Sequence, residues 1–186
     1  MNFKGKIFFD GDLSLKSIVD KKVGVIGYGN QGRAQAVNLR DSGVNIAVGL
    51  RESSISSVKV QKDNVRLDTI ENVIENSDVV AIMIPDNQID TFLSNHSSYF
   101  KNGQTILFSH GYSVIYGKTK LPDYVNVVMV APSGGGKIVR SEYKKGFGVP
   151  ALVAVHKDYS KNSWDIVLSY AKAIGSSRAA VFKSTF

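Results

Sequence analysis

Short, continuous apolar runs alternate along this chain with stretches in which apolar residues recur at helical spacing, and the alternation persists nearly from end to end. The runs predict strands at Val23, Val25 and Ile26 and over residues 6–9, 44–50, 78–84, 105–108, 125–130, 149–155 and 178–182. Helical spacing predicts a turn or small helix over 13–18 and helices over 33–42, 88–94, 138–143 and 164–174. A further helix carries Ile70, Val73 and Ile74, and Asp68 with Glu71 three residues on suggests a capping box at its start. Gly43 stands where the 33–42 helix should stop. The run from Asp78 to Ile84 has no polar break and is closed by Pro85, as suits a parallel strand covered on both faces. Together these elements predict an α/β fold: a Rossmann-like, doubly wound, mostly parallel sheet flanked by helices, in one domain over residues 1–186.

The first parallel strand runs straight into Gly27-Tyr28-Gly29-Asn30-Gln31-Gly32, a G-x-G-x-x-G turn followed by helix-forming residues. Gly27 permits the tight turn, Gly29 lets a pyrophosphate approach the backbone, and Gly32 lets helix and strand pack closely. The helix start then offers unpaired N–H groups and partial positive charge to an anion. The alternative is an ordinary glycine-rich turn, which the strand before it and the helix after it disfavour.

The end of the next strand distinguishes the two dinucleotides. NAD sites place an acidic residue there for the ribose 2′-hydroxyl, whereas NADP sites place cationic or hydroxyl groups for a 2′-phosphate. Here Arg51, Ser54 and Ser56 follow Val48-Gly49-Leu50, so NADP is expected. The competing reading is a polar surface loop in which Glu52 neutralises Arg51.

The chain has 186 residues, a net charge of +7 and no cysteine. It can bury a full core, and the absence of cysteine excludes disulfides, thiolate metal sites and a cysteine nucleophile, in keeping with the cytoplasm. No apolar run reaches the roughly 18 residues of a membrane span, and the N-terminus lacks the apolar segment of a signal peptide, so no membrane partner is expected. The basic residues come singly or in pairs without an aromatic-studded stripe, which argues against nucleic acid and leaves small anionic ligands.

His110 follows the predicted strand 105–108 and precedes Gly111, which puts it at a strand's C-terminal edge, where parallel sheets bind ligands. There it could exchange protons near neutral pH; otherwise it is a loop histidine bonded to backbone. His96, read as part of a polar loop, and His156, at the end of a buried strand, are expected to have no role in a site.

The segments GYGNQG, GLRESSIS, IPDNQ, FSHGYS, APSGGGKIVRSEYKKGFGVPALVAVHKD and YAKAIGSSRAAVFKSTF occur in an order and spacing that resemble the N-terminal domain of ketol-acid reductoisomerase over nearly the whole chain. The resemblance implies NADPH- and magnesium-dependent conversion of 2-acetolactate or 2-aceto-2-hydroxybutyrate to dihydroxy acids, in branched-chain amino-acid biosynthesis. It assigns Tyr28, Gly29, Asn30 and Gln31 to the pyrophosphate and Arg51, Ser54 and Ser56 to the 2′-phosphate. Asp86, Asn87, Gln88, Ile89 and Gly134 become further cofactor contacts, and His110 becomes the active-site histidine.

Two departures from that family are visible. Ser133 stands where the family's Ala-Pro-Lys motif has lysine, and Tyr112 and Ser113 replace its phenylalanine and asparagine after His-Gly. The sequence also stops where the family continues into a helical domain that carries the acidic magnesium ligands, and no metal site is expected in these residues. Magnesium chemistry would then need that domain from another chain, and an apolar face near the C-terminal end is expected where it would pack. These residues alone are therefore not expected to catalyse the reaction. The alternatives are a non-catalytic NADP-binding module, with or without a homo-oligomeric partner, and a small stand-alone NADP oxidoreductase.

Overall fold

The computed structural model describes residues 6–118 and 121–186. Among them one sheet of nine strands runs through the molecule: β1 (Ile7–Phe8), β2 (Lys22–Ile26), β3 (Asn45–Gly49), β4 (Arg66–Asp68), β5 (Val79–Ile82), β6 (Thr105–Phe108), β7 (Asn126–Pro132), β8 (Ala151–Lys157) and β9 (Val181–Lys183). Their spatial order is β1-β9-β8-β7-β6-β5-β2-β3-β4. From β4 to β7 all pairings are parallel, whereas β8 runs antiparallel to β7 and β1 antiparallel to β9. The order β4-β3-β2-β5-β6-β7 is that of a doubly wound dinucleotide fold, and the chain reverses its direction of travel across the sheet between β2 and β5.

The side-chain period of two explains why the central strands read as unbroken apolar runs. Val23 and Val25 of β2, Val79 and Ala81 of β5, Leu107 of β6 and Val128 and Val130 of β7 enter one core. Their neighbours Ile26, Val80, Ile82, Ile106, Phe108 and Val127 enter the other. The first core is closed by α2 (Asn30–Asp41) and α8 (Ser163–Ala173), with Val60 of α3 (Ser57–Lys62) and Ile18 of α1 (Lys16–Val19). The second is closed by α4 (Ile70–Glu75) and α5 (Asp86–His96). The other two α-helices of the described residues are α6 (Tyr112–Tyr116) and α7 (Gly136–Lys144). No helix among the described residues is long and apolar enough to cross a membrane.

Several boundaries differ from the sequence pattern for identifiable reasons. The first long helix begins at Asn30 rather than 33, because Gly29 is its N-cap and the glycine turn merges with its first turn. The N-cap of α4 is Thr69, not Asp68: the Thr69 hydroxyl accepts from the Asn72 N–H at 3.2 Å, while Asp68 ends β4 and accepts from the Thr69 N–H at 2.9 Å. The last strand starts at Val181, since residues 176–178 form a 3-10 turn after the left-handed Gly175. His96 lies in the last turn of α5 rather than in a loop, and His156 is exposed near the end of β8.

Candidate functional site

The C-terminal ends of β2, β3, β5, β6 and β7 share one edge of the sheet, and the sequence-predicted site residues follow these five ends. At the reversal point a cleft of about 920 Å³ opens between the loops after β2, β3 and β5, walled on the far side by α4 and α5. Gly27, Tyr28, Gly29, Arg51, Ser54, Ser56, Asn87 and Gln88 line it.

The turn after β2 requires glycine at its first position. Gly27 has φ +93°, and a Cβ there would lie 2.9 Å from the Met83 carbonyl oxygen. Nothing lies within 4 Å of a Cβ built at Gly29, so the backbone there faces open space. No side chain caps the α2 N-terminus behind it, and its first N–H groups remain available to an anion. Gly32 is buried beneath the turn against the Gly27 carbonyl.

The Tyr28 ring is not presented to the cleft. It is 3% exposed and packs in the first core, and its hydroxyl donates to Asp63 Oδ2 at 2.9 Å. Burial, followed by the Asp63 carboxylate, pushes its pKa far up, so the hydroxyl stays protonated. Tyr28 therefore contributes backbone, not side chain, to the turn.

The loop after β3 is two successive turns leading into α3: Ser54 N–H bonds to the Arg51 carbonyl at 2.9 Å, and Ser57 N–H to the Ser54 carbonyl at 3.1 Å. The Ser56 N–H donates to Ser54 Oγ at 3.3 Å. Among the described residues the Arg51 guanidinium has no hydrogen bond or ion pair, and Glu52 does not pair with it. Cation and hydroxyls are thus left facing the cleft.

The remaining sequence-predicted residues of the site lie outside the cleft lining. Gln31 Nε2 donates to the Gly134 carbonyl oxygen at 2.8 Å, tying α2 to the turn before α7. Gln31 Oε1 in turn accepts from the fully buried Gln35, which also donates to Ser109 Oγ at 3.0 Å and accepts from Tyr170 at 3.0 Å. His110, next to Ser109, is exposed; its Nδ1 accepts the Tyr112 N–H at 3.1 Å and lies 3.8 Å from Asp86 Oδ2. With Nδ1 an acceptor, the neutral ring carries its proton on Nε2. Asn30 and Asp86 are exposed in the first turns of α2 and α5, outside the cleft lining, and Ile89 is 2% exposed inside the second core.

The cleft also has a wall that sequence reasoning did not assign. His96 stacks on Phe92 with ring centroids 4.6 Å apart, its Nδ1 donates to the Phe92 carbonyl at 2.8 Å, and its Nε2 lies 3.3 Å from Glu71 Oε1. The signal was present: Ile89, Phe92, Leu93 and His96 keep helical spacing two residues past the predicted end of the helix. Among the described residues no group of three or more His, Cys, Asp or Glu side chains is gathered where it could hold a metal ion.

Comparison with known proteins adds family information to this geometry. Residues 17–180 match the family described as acetohydroxy acid isomeroreductase, NADPH-binding domain. The chain is 47% identical over 182 residues to a ketol-acid reductoisomerase (NADP(+)) of Pyrococcus abyssi, covering 97% of this chain and 55% of the relative. A ketol-acid reductoisomerase (NADP(+)) of Methanococcus maripaludis is 45% identical with the same coverage. The solved structure of an NADH-preferring ketol-acid reductoisomerase from an uncultured archean superposes with a TM-score of 0.94 at 35% identity, over 97% of this chain and 56% of that one. The chain thus spans about half the length of these relatives.

Proposed function

This chain belongs to the acetohydroxy acid isomeroreductase (ketol-acid reductoisomerase) family through its NADPH-binding domain, and from that premise we propose that it holds NADPH in the cleft between β2, β3 and β5. The observation that carries the reading is the unpaired Arg51 beside Ser54 and Ser56, on the loop where the adenosine ribose would arrive. The Gly27–Gly32 turn would take the pyrophosphate on the uncapped start of α2. Asn87 and Gln88 would face the adenosine half, and Gly134 and His110 would flank the nicotinamide half. Asp86 and Ile89 would contribute backbone from the first turn of α5.

In the whole enzyme a nucleotide held here would supply the hydride used in converting a 2-acetolactate-type substrate to a dihydroxy acid of branched-chain amino-acid biosynthesis. His110 would serve there as the active-site histidine, with the Asp86 carboxylate 3.8 Å from its Nδ1. The magnesium site and most of the substrate pocket would then belong to the half of the relatives that this chain does not span. The exposed Tyr112, Ile115 and Tyr116 face of α6, beside the C-terminal Phe186, would receive that half. A cytoplasmic setting suits such a reaction and a cysteine-free chain.

A second reading, an NADP-binding module without its own catalysis, is favoured by Ser133, which is exposed where the family carries lysine. Titration of the purified chain with NADPH and NADH tests the cofactor common to both. At least tenfold tighter NADPH binding, about 1.4 kcal/mol, is expected; no binding of either nucleotide would overturn both readings. Turnover with 2-acetolactate and magnesium on adding the missing half separates the enzyme from the module.

A further inference from the structure

The two phosphate-facing segments are joined behind the cleft by one carboxylate. Asp63 Oδ2 accepts the Tyr28 hydroxyl at 2.9 Å and Arg33 Nε at 2.7 Å, and Oδ1 accepts Arg33 Nη2 at 2.9 Å. Arg40 donates to the Asp63 backbone carbonyl. Tyr28 belongs to the glycine turn, and Arg33 and Arg40 belong to the helix that the turn opens. Asp63 itself is the C-cap of α3, its N–H bonded to the Lys59 carbonyl at 3.0 Å.

The other end of α3 is the 2′-phosphate loop. Ser56 is the N-cap, and its carbonyl accepts from Lys59 and Val60. One short helix, pinned midway by the fully buried Val60, therefore connects Asp63 to Ser56. Besides Ser54 Oγ, which accepts the Ser56 N–H, the 51–56 loop is held by its own turns and by this helix.

We propose that Asp63 is a positioning residue for nucleotide selection: by clasping α3 to Tyr28 and Arg33 it fixes Arg51, Ser54 and Ser56 at the spacing from Gly29 that a 2′-phosphorylated dinucleotide requires. The inference rests on the NADPH reading above. The physical ground is that pyrophosphate and 2′-phosphate are joined through one ribose, which confines their separation to a narrow range. Two anion cradles bind such a ligand together only when their separation is set beforehand, because a loop ordered during binding gives up affinity. A dinucleotide without the 2′-phosphate makes no such demand on the second cradle.

The test compares the parent, Asp63→Asn and Arg33→Gln by NADPH and NADH titration and by amide hydrogen exchange of the nucleotide-free chains. Arg33 is 52% exposed, so its replacement keeps the comparison available even where Asp63→Asn fails to fold. The expected result is an NADPH-to-NADH preference reduced at least fivefold with NADH affinity within twofold, and faster exchange at residues 51–62 with β2 and β5 unchanged. Equal weakening of both nucleotides would reduce Asp63 to a structural residue and overturn the proposal, as would an unchanged preference. A parent that binds neither nucleotide sinks the NADPH reading itself and the selective role with it. In that case exchange at 51–62 still reports whether the clasp holds α3.

Discussion

Gln31 Nε2 donates to the carbonyl oxygen of Gly134 across 2.8 Å, joining the first turn of the helix that opens the cleft to a turn 103 residues further along the chain. The bond depends on how closely the starts of α2 and α7 approach. Gly136, the first residue of α7, packs directly on the Asn30 carbonyl, and an added Cβ would overlap it. Gly136→Ala is expected to destabilise the chain by about 1–3 kcal/mol, as overpacking does, and to weaken dinucleotide binding by displacing Asn30 and Gln31. Gly135→Ala is the matched control, since nothing lies within 4 Å of its Cβ and its φ is −64°. Urea unfolding that ranks the two variants equally would refute the close-approach argument.

Charge at Arg51 should decide which nucleotide the loop prefers. A hydrogen bond to a charged group contributes about 1.5–3 kcal/mol, so Arg51→Gln should weaken NADPH by roughly ten- to a hundredfold while leaving NADH nearly unchanged. Arg51→Asp should go further, because its carboxylate repels a 2′-phosphate and can accept from a 2′-hydroxyl. Dissociation constants for both nucleotides at one ionic strength check this, and raising the salt should narrow the parent's preference. The solved relative that prefers NADH makes the comparison informative, since it shares this backbone at a TM-score of 0.94.

The buried Gln35 is a different kind of support. Its amide donates to Gln31 and Ser109 and accepts from the fully buried Tyr170. Gln35→Leu strands the Tyr170 hydroxyl without its partner, which should cost about 1–3 kcal/mol. Adding Tyr170→Phe removes the stranded hydroxyl and should recover a large part of the loss. A double variant no more stable than Gln35→Leu in urea would show that the damage lies at Ser109 and Gln31 instead.

These sites show what a sequence can and cannot convey. The parallel core was legible because residues such as Val79 to Ile82 are covered on both faces and so form an unbroken apolar run. The glycine turn was legible because its spacing is a backbone requirement. Helix α3 and strand β4 were not: α3 buries one side chain, Val60, and β4 is a three-residue edge strand with no buried residue. Nor could the turn motif reveal that the Tyr28 ring points into the core, or that the partner of Arg33 is Asp63, 30 residues away. Such pairings depend on tertiary placement and leave no periodic trace.

Asp63 also makes a prediction about acid. Arg33 beside it, followed by the Tyr28 hydroxyl, holds its carboxyl below the usual carboxylate range despite the opposing effect of burial. The folded pKa is therefore lower than the unfolded value of about 3.9. A group shifted in this direction contributes stability that is fully present above the unfolded pKa and is lost as pH falls through the folded one. At pH 6 the parent should exceed Asp63→Asn by about 1–2 kcal/mol, allowing for the exposure of Arg33. Below about pH 4 the two stabilities should converge as protonation removes from the parent what the substitution has already removed from the variant. Both chains should still weaken in acid, because Asp10, Asp41, Asp68 and Asp158 are depressed as well. Urea midpoints measured from pH 6 to pH 3 test the convergence. Parallel curves across that range would mean that Asp63 acts through its shape and not its charge, and that the Arg33 pair contributes nothing the amide cannot.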